Sequence, residues 1–67
     1  MKIAALKRVP GDRYGNPAWE VTFTDGLVAR TLSGAQVGYL IQNSEYHGAE
    51  LKVSWQNGKI ASVTIVT

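Results

Sequence analysis

The side chains that could do chemistry are few in this chain and lie far apart. His47 is the single histidine, there is no cysteine, and the acidic residues are scattered as Asp12, Glu20, Asp25, Glu45 and Glu50. A nucleophilic mechanism needs a Ser, Cys or Thr beside a base, but His47 falls in a polar turn where a surface position is expected. Residues 33–36 lack the glycines and the lysine of a phosphate-binding loop. We therefore predict that the protein is not an enzyme, with no catalytic residues, no metal site and no cofactor.

A weak basic and aromatic patch is the best candidate for binding. Lys7, Arg8 and Arg13 flank Tyr14, with Trp19 just beyond. Cations beside an aromatic ring can hold a nucleic-acid backbone and stack a base. The favoured alternative is a solvated strand end and a core tryptophan, because stacking surfaces normally expose several aromatic rings. The net charge of +2 permits nucleic-acid contact without demanding it.

The last strand is a second candidate surface. It is uncharged and rich in β-branched residues, with Val63 and Ile65 as the candidate strand-pairing edge. Left as an exposed edge, it would pair with other chains. Either barrel closure pairs it internally, or it supports a homodimer or a partner that binds by strand addition.

Five strands are predicted to position these residues. Alternation and turn signals place them at 2–9, 19–23, 27–32, 51–55 and 59–66. In the first strand Ile3 shares a face with Ala5, and Ala4 shares the other with Leu6. The alternating apolar residues of 19–23 and 51–55, including both tryptophans, are expected to point into one shared interior.

A single helix is predicted around residues 34–42. Ser33 is a good N-cap, and Gln36 completes a capping box. Asn43 can end the helix in a left-handed conformation. The apolar stripe of this helix consists of Val37, Leu40 and Ile41.

Both hairpins are predicted to have three-residue loops with a left-handed glycine. In the first hairpin this pairs Phe23 with Leu27, Val21 with Ala29 and Glu20 with Arg30. In the second it pairs Leu51 with Val63, Val53 with Ala61 and Ala49 with Ile65. A two-residue turn at Asn57-Gly58 would instead set Leu51 and Val53 against Thr64 and Ser62, which misaligns the apolar faces.

The resulting fold class is mainly β (α+β), a single domain over residues 1–67 in the order β-β-β-α-β-β. Five short strands and one helix favour a small antiparallel barrel, and a helix between the third and fourth strands is the OB-like order. An SH3-like barrel is the alternative, and an open α+β sheet comes third. A 67-residue chain has a thin core, so oligomerisation is an open means of stabilisation. The lack of cysteine and of a long apolar segment favours the cytoplasm and argues against a membrane.

Residues 15–26, 29–31 and 43–48 carry a resemblance to short proteins of tailed phages that infect actinobacteria such as mycobacteria. The resemblance covers nearly the whole chain from Arg8 onward. That group has no established activity, so it implies a setting in the host bacterial cytoplasm and transfers no functional residue. We predict a small binding module, a phage accessory protein that binds a host or phage protein. A small nucleic-acid-binding barrel is the alternative, and a minor virion component is the second alternative.

Overall fold

The strands and helices follow the predicted chain order. The computed structural model describes residues 1–11 and 15–66. It contains β1 (Ile3–Val9), β2 (Ala18–Phe23), β3 (Val28–Arg30), α1 (Val37–Ile41), a 3₁₀ turn (Ser44–Tyr46), β4 (Leu51–Gln56) and β5 (Lys59–Ile65). The strands form two antiparallel sheets, β1-β2-β3 and β4-β5. The mainly β class with one α-helix among the described residues is confirmed.

The two sheets meet at two short seams. At one seam Thr31 forms a parallel bridge with Ile60, and the Leu32 amide donates to the Ile60 carbonyl at 2.8 Å. At the other, the Leu51 amide donates to the Met1 carbonyl at 2.7 Å and the Met1 amino group donates to the Leu51 carbonyl at 2.8 Å. These contacts do not close the sheets into a barrel.

The β2–β3 hairpin has the predicted register. Glu20 pairs with Arg30 and Val21 with Ala29, and the Phe23 amide donates to the Leu27 carbonyl at 2.8 Å. The apolar faces of the two strands therefore coincide, with the extra residue held in the loop.

The tip of the β4–β5 hairpin differs from the prediction. Gln56 pairs with Lys59, which leaves a two-residue turn with φ of 53° at Asn57 and 74° at Gly58. Two left-handed residues in succession match the right-handed twist of the flanking strands, and Asn-Gly is the sequence that best adopts them. The predicted three-residue loop is wrong because this local preference fixes the turn.

The apolar faces of β4 and β5 are aligned by a bulge within the hairpin. The register shifts between Ser54 and Trp55, where β5 carries the extra residue Ala61, and the pairs beyond the shift are Val53 with Val63 and Leu51 with Ile65. The predicted partners of Leu51 and Val53 are therefore wrong. Because of the extra residue, Ile60 and Val63 both face the core, where they are 0% and 5% exposed.

A second bulge lies in β1 and changes the faces on which its residues were predicted to lie. Ile3 pairs with Phe23 and Leu6 pairs with Val21, and the register shifts between Ile3 and Ala5. Ile3 and Leu6 thus both pack against the core, although their spacing in an unbroken strand would put them on opposite faces.

The helix is shorter than predicted, and its ends differ. Its N-cap is Gln36, whose side chain makes no capping hydrogen bond, so the predicted capping box at Ser33 is wrong. Asn43 is extended, with φ −71° and ψ 129°, and its side chain accepts from the Glu45 amide at 3.2 Å to cap the 3₁₀ turn. Close packing holds this helix in place, since a Cβ on Gly38 would lie 1.8 Å from the Pro17 carbonyl oxygen.

Two residues of the core come from the helix, and the others come from the strands. The fully buried apolar residues are Val21, Phe23, Val37, Ile41, Leu51, Ile60 and Val63. Trp19 and Val53 are half-buried at its margin, as partners of this core. Leu40 and Trp55 were predicted to point inward, but they are 42% and 43% exposed. A five-residue helix buries only one narrow stripe, which here passes through Val37 and Ile41.

Candidate functional site

The outer edge of β4 is open over most of its length. The backbone groups of Leu51 bond to Met1 and therefore point away from β5. In an antiparallel pair the direction alternates along the strand, so the N–H and C=O of Val53 and Trp55 point the same way. The extra residue of the bulge lies in β5, so this alternation in β4 is not interrupted. No strand of the described residues pairs with this side of Val53 or Trp55.

Apolar side chains lie beside this open edge. The Trp55 ring packs edge-on against Phe23, with centroids 6.4 Å apart and planes at 63°. Leu27 is bonded to Phe23 across the first hairpin and is 44% exposed. A half-exposed tryptophan and a half-exposed leucine thus flank the buried Phe23 ring. We call Val53, Trp55, Phe23 and Leu27 the β4-edge site.

This arrangement can bind an extended chain. Free N–H and C=O groups on a strand edge supply main-chain hydrogen bonds, and pockets for alternate side chains add specificity. Val53 and Trp55 offer such groups, and the exposed rim around Phe23 offers apolar area for one side chain. Sequence reasoning missed this site, because the alternation of residues 51–55 predicts an interior position for Trp55 and the lack of charge in most of β5 points to that strand instead. Asking which neighbour pairs with each of the two edges of every predicted strand could have shown that one edge of β4 is left open.

The predicted basic patch is divided between two faces. Lys7 pairs with Glu20 and Arg8 pairs with Trp19, and successive residues of a strand point to opposite faces. Lys7 therefore lies in one row with Glu20 and Arg30 on the outer face of the sheet, where the Arg30 Nε is 3.6 Å from a Glu20 carboxylate oxygen. Arg13 and Tyr14, the other two members of the predicted patch, lie outside the described residues.

Trp19 is not presented as a stacking surface. The Arg8 guanidinium lies 5.3 Å from the centroid of the Trp19 ring, and the indole N–H donates to the Gly38 carbonyl at 3.0 Å. The Arg8 guanidinium therefore lies over the ring, and a helix carbonyl accepts the hydrogen bond of its indole N–H. This packing explains why a basic residue and a tryptophan are neighbours without reference to a nucleic acid.

The predicted strand-pairing edge lies on β5. Val63 is 5% exposed and Ile65 is half-buried. One edge of β5 pairs with β4, and the other meets Thr31 at Ile60. Pairing with another chain through Val63 and Ile65 stays a prediction.

His47 is involved in local structure. Its Nε2 atom lies 2.9 Å from the Ile41 carbonyl oxygen, which ties the turn after the helix back to the helix end. The ring also borders a groove of about 180 Å³ beside the first residues of β1. No cluster of three or more His, Cys, Asp or Glu side chains is found among residues 1–11 and 15–66.

A second cleft lies on the outer face, between the end of β3 and the start of β5. Its volume is about 210 Å³, and Arg30, Ser33 and Lys59 contribute to its lining. The chain segments that form it are distant in sequence and are brought together by the Thr31–Ile60 seam.

The shifted acid in the described part of the chain is Glu50. Hydrogen bonding from the Met1 amino group, followed by attraction to its charge, lowers the pKa of Glu50 below its usual value. The interaction reinforces the Met1–Leu51 seam, although it lies in solvent.

No protein-family model matches the chain, and no curated protein or solved structure matches it either. Within the described residues, none of the helices has the length and apolar character needed to cross a membrane.

Proposed function

We propose that the protein is a small non-enzymatic binding module that takes up an extended segment of a partner protein at the β4-edge site. The observation that carries this proposal is the open edge at Val53 and Trp55 beside a half-exposed indole. An incoming strand would continue the β4–β5 sheet and place an apolar side chain near Phe23. Main-chain pairing of this kind tolerates varied partner sequences.

The biological setting belongs to the same proposal. The resemblance to phage proteins supports an accessory protein that acts on a host or phage protein in the bacterial cytoplasm. A minor virion component would use the same edge in an assembly.

An OB-like arrangement is the finer fold that we propose. Its support is the placement of the two seams, which bring β3 beside β5 in parallel and β1 beside β4. With the helix between β3 and β4, this is a partly open five-stranded order. The β4-edge site is then the part of the β1–β4 seam that stays open.

A second copy of the chain is the competing occupant of the edge. Two β4 strands related by a two-fold axis at Ser54 would pair Val53 of one with Trp55 of the other, and both residues have outward backbone groups. Lys52 would then face Gln56, so no like charges oppose each other. Such a homodimer would compete with the partner for the site.

Replacement of Val53 by proline tests the proposal. The Val53 N–H points away from β5, so proline removes a donor from the free edge and leaves the β4–β5 ladder intact. Val53→Ala is the matched control, because it trims the side chain and keeps the N–H. We expect wild type and the alanine variant to capture the same host protein at high salt after nuclease treatment, and the proline variant to lose it.

Two further measurements define the outcome. Light scattering after gel filtration reports whether the free protein is a dimer that the proline variant converts to a monomer. Thermal melting shows that the proline variant is folded. Capture of the same protein by a folded Val53→Pro variant would refute the β4-edge site.

Nucleic-acid binding is the second candidate. The observation that favours it is the outer face, where Lys7 and Arg30 flank Glu20 in one row. Binding through these cations would weaken steeply with added salt because it releases counterions. Nuclease-sensitive and salt-sensitive capture would favour this candidate over the first.

A further inference from the structure

We propose that the cleft between the end of β3 and the start of β5 binds a single phosphate group. Arg30 and Lys59 both line this cleft, Ser33 adds a hydroxyl, and Gly11 brings the backbone of the segment after β1 to its wall. Guanidinium, ammonium and hydroxyl donors are the groups that bind phosphate in proteins.

The charge balance of the cleft favours an anion. No carboxylate lines it among the described residues. Lys59 has no ion pair in the described part of the chain, where the two pairs involve Met1 with Glu50 and Arg30 with Glu20. Two basic residues in the wall of a concave site make its potential positive.

The pairing of Arg30 with Glu20 leaves Arg30 available. The Glu20 carboxylate approaches Nε at 3.6 Å, and a guanidinium has five N–H donors in a rigid fork. This approach is longer than a hydrogen bond and is made at Nε, so the terminal N–H groups remain for a ligand. Glu20 itself is not part of the cleft lining.

The size of the cleft limits the ligand. Its volume of about 210 Å³ is smaller than the roughly 300–1,000 Å³ of pockets that enclose drug-sized ligands. Its apolar contributions come from Val9, Pro10 and Ala18, and none of the described residues that line it carries an aromatic ring to hold a base. The cleft therefore recognises the phosphate group and not the rest of the molecule.

This site is independent of the β4-edge site. The cleft belongs to the outer face of the β1-β2-β3 sheet, whereas the β4 edge opens beside Phe23 on the inner face. Loss of partner binding at β4 would leave phosphate binding unchanged, and the reverse also holds.

Phosphate titration of the ¹⁵N-labelled protein tests the proposal. Inorganic phosphate replaces chloride at constant ionic strength while amide shifts are followed. We expect saturable shifts at Gly11, Ser33 and Lys59. Arg30→Gln and Lys59→Gln should each weaken binding by about tenfold, since each removes a charge-assisted hydrogen bond. Lys52→Gln is the matched control, because it removes the same charge from β4 outside the cleft, and it should leave the affinity unchanged.

A second titration identifies the source of the phosphate. A short oligothymidylate that shifts the same amides about tenfold more tightly, with a steep salt dependence, would assign the site to a nucleic-acid backbone. An oligothymidylate no tighter than inorganic phosphate would assign it to a small phosphorylated molecule. The proposal is overturned if the shifts do not saturate, or if Lys52→Gln weakens binding as much as Lys59→Gln.

Discussion

The two hairpins reach the same result by different routes. In β2–β3 the extra residue lies in the loop, where Gly26 has φ of 92° and the Asp25 carboxylate accepts from the Leu27 amide at 3.0 Å. In β4–β5 the loop is a tight two-residue turn and the extra residue, Ala61, lies inside β5. Both arrangements align apolar faces. The comparison shows that burial sets the register of a strand pair, whereas turn chemistry decides where the irregularity is placed.

The largest expected effect tests the bulge in β5. Ile60 is 0% exposed only because the extra residue turns it inward, so Ile60→Ala should lower the free energy of unfolding by about 2–5 kcal/mol. Val28→Ala in β3 is the control, since Val28 is 52% exposed and a surface change usually stays within about 0.5 kcal/mol. Urea denaturation measures both. Equal losses of unfolding free energy in the two variants would mean that Ile60 lies outside the core, as the predicted register with a three-residue loop requires.

A smaller effect is expected at the tip of the same hairpin. Asn57 has φ of 53°, and a left-handed conformation costs most L-residues about 1–2 kcal/mol. Asn57→Ala should therefore destabilise the protein by about 1 kcal/mol, while Asn57→Gly should be neutral or stabilising. In a three-residue loop with a type I turn, Asn57 would be right-handed and glycine would be the costlier replacement. The order of the two variants in urea denaturation thus distinguishes the loops.

The smallest expected effect concerns charge at the base of the β4–β5 hairpin. The pKa of Glu50 is lowered in the folded state, mainly by hydrogen bonding from the Met1 amino group. The carboxylate therefore contributes stability above its unfolded pKa, and this contribution is lost as pH falls through the lower folded pKa. Glu50→Gln should flatten the acid limb of stability against pH.

The Glu20–Arg30 pair of the other hairpin supplies the comparison for this measurement. Glu20→Gln removes a carboxylate from the middle of a strand pair and leaves the Met1 contact in place. An acid limb that is the same in wild type and in Glu50→Gln would contradict the role of the Met1 contact.

The sequence determined the strands and the chain order, because alternation from Trp19 to Phe23 and the turn residues around it leave few alternatives. It also determined the β2–β3 register, since another register would put Arg30 inward. It failed where an irregularity interrupts the alternation, as at Ala61 in β5 and between Ile3 and Ala5 in β1. A bulge changes the face of every residue beyond it, and no local pattern announces it.

The candidate sites were less accessible to sequence reasoning. The adjacent cations Lys7 and Arg8 suggested one patch, but strand geometry sends them to opposite faces. The cleft combines Arg30 with Lys59, which only the contact between Thr31 and Ile60 brings together. Whether a strand edge is open likewise depends on the length of its neighbours, and this is a property of the assembled sheets.

The tight contact at Gly38 bears on the order in which the molecule assembles. A five-residue helix such as Val37–Ile41 is far below the length that persists alone in water, and its N-cap side chain gives it no help. Its anchors are the Pro17 carbonyl against the bare Cα of Gly38 and the Trp19 indole bond. The first anchor directly precedes β2 and the second lies near its start. The helix therefore depends on these anchors and on the core contacts of Val37 and Ile41, and we expect it to form only once the strands are in place.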